Sequence, residues 1–284
     1  MTFVRLGGVA HHVVVDGTGP VCVLAAGLGM SWFDWDPVVP LLAPHRTVVR
    51  FDRPGHGLSA PAAVPATLAG EADRIAALLD ALRLPGPATV VGHSIAGFHA
   101  EAFARRHPAR TAALVLVDSS VEDRPRASRT APPLARALGA ALSAAGIPAA
   151  LGPAGRALSV RLSARGPDPA PRALVRRVYR TSRVLRGTLD ENARYGAVAA
   201  ELLALREHAP LPPGLPVTVL AAPNGSARWE RRQRALARRL AARYEAAEPS
   251  GHLVMLDRPD RVAEAVLGTA VPSRAPGRTG QEGA

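Results

Sequence analysis

Residues 90 to 97 read Val-Val-Gly-His-Ser-Ile-Ala-Gly. An apolar run, residues 88–91, leads in, and a helix-patterned stretch, residues 98–106, leads out. A strand that passes directly into a helix must turn sharply, which strains the residue at the turn and pushes its side chain clear of the sheet edge. Ser94 occupies that turn. Gly92 and Ala96 lie two residues to either side and leave room for the tight approach, while Gly97 lets the new helix pack close to the strands. A hydroxyl presented in this way is a candidate nucleophile. The small-x-Ser-x-small pattern takes its meaning from the strand before it and the helix after it.

Working outward, Leu68, Ile75, Leu78, Leu79 and Leu82 recur at helical spacing before the Pro85-Gly86-Pro87 break. After His107-Pro108, residues 112–117 form another buried strand. Strand, helix and strand in succession predict a mostly parallel sheet with helices on both faces, an α/β architecture. Residues 3–6, 9–15 and 21–25 read as three strands separated by Gly7-Gly8 and by Gly17-Thr18-Gly19-Pro20, an antiparallel start to that sheet. Residues 47–51, 217–220 and 244–247 are further short strands, and residues 228–244 a basic amphipathic helix with Trp229, Leu236 and Leu240 inward.

Together these stretches resemble the α/β-hydrolase family, over nearly the whole chain apart from a middle insertion and the last residues. The most specific match is Asp52-Arg53-Pro54-Gly55-His56-Gly57-Leu58-Ser59, which follows a short apolar strand as the family's corresponding loop does. Asp52 and Ser59 can hydrogen-bond that loop into shape, which gives it a structural role and leaves His56 as a loop histidine. The resemblance implies an oxyanion hole in the Ala26-Gly27-Leu28-Gly29 loop, with the backbone N–H groups of Leu28 and Ile95 as donors. Ala26 stands where the family usually has His. It also implies that His252, in Ser250-Gly251-His252 ahead of an apolar run and Pro259-Asp260, is the general base.

The acid is less direct. Asp118 sits at the carboxyl end of the strand after the serine, where an open α/β sheet gathers its ligand-facing residues. Many family members take the acid from after the following strand, yet here that position reads Ala221-Ala222-Pro223-Asn224-Gly225-Ser226 with no carboxylate. An amide at Asn224 cannot stabilise an imidazolium electrostatically. The haloalkane dehalogenase branch supplies its acid from the earlier strand, and Asp118 matches that position. Glu122, Asp123 and Glu230 are the other carboxylates to weigh. The implied chemistry is hydrolysis of a small-molecule ester, thioester or lactone through an acyl-enzyme on a Ser94, His252, Asp118 triad, with no cofactor and no metal. The alternative is a non-hydrolytic use of the same fold, for ligand binding or a reaction that needs no acyl-enzyme.

Residues 121–210 break the alternation of strand and helix and are rich in Ala, Arg and Pro, so they are expected to form an inserted helical cap over a core made of residues 1–120 and 211–267. Residues 268–284, with their Pro, Gly, Arg and Ser content, are expected to be a flexible tail. The chain of 284 residues carries a net charge of +12, all of its cations being Arg because the sequence has no Lys. Between residues 121 and 189 there are 13 Arg against 3 acids. Arg176, Arg177 and Arg180 are thereby candidates to recognise an acidic group on the substrate. No aromatic interleaving or nucleic-acid module accompanies the charge, no membrane-spanning run is present, and the single Cys22 lies in an apolar stretch, so a cytoplasmic enzyme is expected. The oligomeric state is not legible.

Overall fold

A computed structural model describes residues 2–61 and 64–269 of the chain. Eight strands form one sheet: β1 (Thr2–Leu6), β2 (Val9–Asp16), β3 (Val21–Ala25), β4 (Thr47–Phe51), β5 (Ala88–His93), β6 (Thr111–Val117), β7 (Val217–Ala221) and β8 (Arg243–Ala246). Their order across the sheet is β1-β2-β4-β3-β5-β6-β7-β8. β1 with β2 and β2 with β4 pair antiparallel, and every other neighbour is parallel. The expected antiparallel start and parallel body are therefore both present.

Between them run α1 (Val39–Leu42), α2 (Leu68–Ala81), α3 (Ala96–Arg106), α4 (Ala131–Ala144), α5 (Ile147–Ser163), α6 (Arg172–Tyr179), α7 (Ser182–His208), α8 (Ala227–Arg239), α9 (Val254–Asp257) and α10 (Pro259–Leu267). The period-two rule of a strand shows how the sheet is covered on both faces. In β3, Val23 and Ala25 pack with α2 and α3, while Cys22 and Leu24 pack on the opposite side with Trp35, Leu42 and α10. The central strands β5 and β7 are buried at every position, so they read as continuous rather than alternating apolar runs.

After β3 the chain moves outward to β4 and then returns to the other side of β3 to make β5. That reversal leaves a crevice at the carboxyl ends of β3 and β5, where Ala25 pairs with Gly92. The loop carrying Leu28 and the turn carrying Ser94 both open onto this point. Helices α4 to α7 lie between β6 and β7, within the stretch expected to be helical. Among the described residues no single helix is long and apolar enough to cross a membrane.

Two boundaries differ from the sequence reading. The helix expected to reach Tyr244 ends at Arg239, because Ala241 turns with φ 49° and the chain then enters β8. Of the stretch expected to be a tail from residue 268, the two described residues are ordered: Gly268 closes α10 and Thr269 is buried, its hydroxyl donating to Val266 O at 2.6 Å. Residues 270–284 lie outside the described residues.

Candidate active site

Ser94 follows β5 directly and adopts φ 55°, the left-handed conformation that a non-glycine residue takes only when its surroundings compel it. Three backbone hydrogen bonds hold it there: Ser94 N–H donates to Val117 O at 3.2 Å, and Ser94 O accepts from Gly97 N and Ser120 N at 3.0 Å each. A Cβ at Gly92 would lie 2.3 Å from the Ala96 carbonyl oxygen, and one at Gly97 would lie 2.0 Å from Ser119 Oγ. Both glycines are therefore required by close approach, as the sequence implied.

Asp118, at the end of β6, is 2% exposed and also has positive φ, 38°. Both of its oxygens are engaged. Oδ1 accepts from Ala222 N at 2.9 Å and from Trp229 Nε1 at 2.7 Å, and Oδ2 lies 2.6 Å from His252 Nδ1. The backbone carbonyl of His252 accepts from His93 Nε2 at 2.9 Å, and the two imidazole rings lie 4.6 Å apart. His93 thereby ties the His252 loop to the residue just before Ser94. Burial, with the neighbouring His252 and Arg53, holds the His93 ring well below the usual histidine range, so it is neutral with its proton on Nε2. The structure thus joins Asp118 to His252 and brings the histidine loop beside the serine turn. Among the described residues, no hydrogen bond joins Ser94 Oγ to His252 Nε2.

The competing carboxylates and the amide are occupied elsewhere. Asn224 is exposed and accepts from Arg165 Nη2 at 2.6 Å. Glu122 accepts from the Tyr195 hydroxyl, Asp123 pairs with Arg239 and Glu230 with Arg234. None of them hydrogen-bonds His252.

The loop after β3 runs against the serine: a Cβ on Gly27 would sit 3.1 Å from Ser94 Cβ and 2.7 Å from His93 Nδ1. Neither Leu28 N–H nor Ile95 N–H has an acceptor among the described residues. The carbonyls of the same loop are taken, since Arg53 donates to Ala26 O and, at 2.9 Å, to Gly27 O. Asp52 and Ser59 brace the following loop as the sequence suggested: Asp52 accepts from Trp32 N and Leu58 N at 3.0 Å each and contacts His12 Nδ1 at 2.9 Å, and Ser59 Oγ donates to Asp52 O at 2.7 Å.

A cavity of about 490 Å³ lies between Leu28, Gly29 and Met30 of this loop and Ile147, Leu151 and Val184 of the inserted helices. Its one arginine, Arg156, is ion-paired with Asp34 and, at 3.0 Å, with Asp168. The guanidinium also lies 5.6 Å from the ring centres of Phe33 and Tyr179. A second depression of about 300 Å³ is lined by Asp118, Trp229 and His252 beside Leu162. Ser94 lines neither. The arginines singled out for an acidic substrate point elsewhere: Arg176, Arg177 and Arg180 are exposed and line neither cavity. A helix pattern reveals which residues are polar but not which face the neighbouring helices leave open, and here these side chains face solvent.

Four residues beside the site carry more than the sequence assigned them. Trp229 was expected only as an apolar inward residue, and its indole N–H instead holds Asp118. Arg53 lay inside a motif read as structural, His93 inside the serine turn, and Glu191 inside the insertion. Only the first two carried any signal, a tryptophan on the inner face of a helix and a cation in a loop otherwise made of turn residues. Among the described residues no three His, Cys, Asp or Glu side chains converge as a metal ion would need.

A model described as the alpha/beta hydrolase family matches residues 22–265. A pimeloyl-acyl-carrier-protein methyl ester esterase of Chromobacterium violaceum is 39% identical over 104 residues, 37% of this chain and 39% of that protein. A 2-hydroxy-6-oxo-2,4-heptadienoate hydrolase of Pseudomonas putida is 34% identical over 118 residues, 40% of this chain and 42% of that protein. The chain thus spans about two fifths of the length of these curated relatives. Among solved structures, an esterase of Thermogutta terrifontis superposes with a TM-score of 0.71 at 23% identity, covering 94% of this chain and 97% of that one. An enol-lactonase of Burkholderia xenovorans gives 0.69 at 22% identity, covering 94% and 99%. At that identity the likeness is one of fold.

Proposed function

The chain belongs to the α/β-hydrolase family, and on that footing we propose that it is a serine hydrolase acting on a small carboxylic ester, thioester or lactone. The observation that carries the reading is the 2.6 Å contact between Asp118 and His252 beside a serine held at positive φ. Ser94 Oγ attacks the substrate carbonyl carbon while His252 Nε2 takes its proton. Asp118 fixes the ring with the proton on Nδ1 and stabilises the imidazolium. The carbonyl oxygen, now anionic, accepts from Leu28 N–H and Ile95 N–H, two donors with no competing acceptor in the described chain. Removing one such donor typically costs about 10²–10³ in kcat. The tetrahedral species collapses, the bond to the leaving group breaks, and His252 returns the proton to that group. Water then attacks the acyl-enzyme by the same route, giving its proton to His252, and the free acid leaves with Ser94 restored. In unliganded enzymes the serine–histidine hydrogen bond is often long and tightens only with substrate bound, which fits its absence here.

Helices α4 to α7 serve as the lid in this reading, and the cavity next to Leu28 holds one apolar substituent of the substrate. Its lining and the neutralised Arg156 favour a neutral group over the acidic one that the arginine count suggested. The direct test is labelling with a fluorophosphonate. Wild type is expected to label and Ser94→Ala not to, and a wild-type protein that never labels and hydrolyses no p-nitrophenyl ester removes the reading. A second reading, a fold kept for binding or for a reaction without an acyl-enzyme, draws on the missing hydrogen bond between Ser94 and His252. Equal ester turnover by wild type and Ser94→Ala would favour it.

A further inference from the structure

Beneath the loop that carries Leu28, Arg53 is buried and its guanidinium is shared between two parts of the chain. On one side it grips the carbonyls of Ala26 and Gly27. On the other it meets both oxygens of Glu191 on α7, Nε to Oε1 at 2.8 Å and Nη2 to Oε2 at 3.0 Å. Glu191 is itself 7% exposed, so an inserted helix supplies the buried counter-charge for a cation of the sheet domain.

The consequence follows from peptide geometry. In a planar trans peptide the C=O and the next N–H point in opposite directions. Gly27 O is held by Arg53 and also accepts from Met30 N at 3.2 Å, which turns Leu28 N–H away from Arg53. That N–H is a proposed oxyanion donor, and Gly27 stands against Ser94. Three residues of α7, spaced four apart so that they share one face, clamp the loop that bears Arg53. Arg183 donates to Gly57 O, Gly187 lies so close that a Cβ there would be 2.7 Å from Gly55 O, and Glu191 meets Arg53.

We propose that Arg53 and Glu191 are positioning residues that set the orientation of the Leu28 amide and make it conditional on the seating of α7. This rests on the serine-hydrolase reading for its kinetic consequence. An inserted helix that shifts away from Arg53 loosens the fork, and the peptide that must face the oxyanion is then held by Met30 N–H alone.

Removing one partner of a buried ion pair leaves an uncompensated charge, whereas replacing both with apolar residues of like size is often tolerated. The informative variant is therefore the double Arg53→Met/Glu191→Met, set beside Arg53→Lys, which keeps the charge and loses the fork, and Gly187→Ala, which changes no charge. With p-nitrophenyl butyrate, the double variant and Arg53→Lys are expected to lose roughly 10²-fold in kcat while KM moves by less than about threefold. Fluorophosphonate labelling should survive at a slower rate, and Gly187→Ala should lose in the same parameter. A double variant that turns over at the wild-type rate overturns the proposal while leaving the hydrolase reading intact. Failure of wild type itself to label overturns the hydrolase reading instead. In that event hydrogen exchange of residues 26–30 still decides the positioning claim: faster exchange in the double variant upholds it, and unchanged exchange sinks it.

Discussion

Asp118 receives three hydrogen bonds, and their chemistry differs. The one to His252 orients the ring, while those from Ala222 N and Trp229 Nε1 hold the carboxylate in place behind it. Asp118→Asn preserves the shape, but its amide favours the wrong histidine tautomer. It is expected to lower kcat by about 10³–10⁴-fold. Asn224→Ala, which cuts a surface bond to Arg165 and places alanine at φ 46°, costs some local stability but should leave kcat within about twofold. Steady-state kinetics on one ester decide between the two positions, and the reverse ranking would remove Asp118 from the reaction. Trp229→Phe keeps the ring and deletes its N–H, freeing one carboxylate lone pair, and roughly tenfold slower turnover is expected. The pairing of Asp118 with His252 could be expected from the sequence because the alternative position has no carboxylate at all. The tryptophan was not, since sequence periodicity places an indole on a helix face without saying where its nitrogen points.

At the level of elements, β5 and α3 bury two imidazoles in succession, His93 and His99. Burial lowers both, His93 well below 6.5 and His99 to about 4. Both are thus neutral in the folded chain and take up a proton when it unfolds below their ordinary pKa. Between that value and the folded one the unfolded state binds more protons, so stability falls as the pH drops from 6.5 toward 4. For His99 the span is worth on the order of 3 kcal/mol. Glu191 adds in the same direction. Burial alone would raise its carboxyl, but Arg53 and His56 outweigh that and hold it well below the usual range. Its contribution is complete above the ordinary value of 4.5 and is lost as the pH falls further. Denaturant titrations at pH 7.5, 6 and 5 should show a falling unfolding midpoint, and a flat profile would contradict the neutral-imidazole assignment. The elements themselves were largely readable, because buried parallel strands and an amphipathic helix leave different periods in the sequence. The end of α8 was not, since Leu240 continues the helical spacing and only the turn at Ala241, imposed by the approach of β8 to β7, breaks it.

Across the whole molecule, unpaired charge is kept away from the cavity beside Leu28, whereas Arg53, Arg136, Arg183 and Arg186 line a separate one of about 510 Å³. The net +12 lies largely on outward-facing arginines such as Arg176 and Arg177, while the arginine in the cavity wall is spent on Asp34 and Asp168. A carboxylate entering the cavity would lose its hydration and find no unpaired cation to replace it. An aliphatic chain would meet Leu28, Met30, Leu151 and Val184, at roughly 0.8 kcal/mol per buried methylene. Neutral acyl esters should therefore be turned over with higher kcat/KM than the same esters bearing a terminal carboxylate. Thr188 stands at the inner wall, its methyl 3.1 Å from where a Cβ on Gly29 would be. Thr188→Trp fills that space and should cut kcat/KM for a hexanoate ester by about tenfold or more while leaving an acetate ester nearly untouched, because only the longer chain needs the volume. If hexanoate and acetate fall together, the cavity beside Leu28 is not where the acyl chain goes, and the substrate must reach Ser94 from the depression around His252.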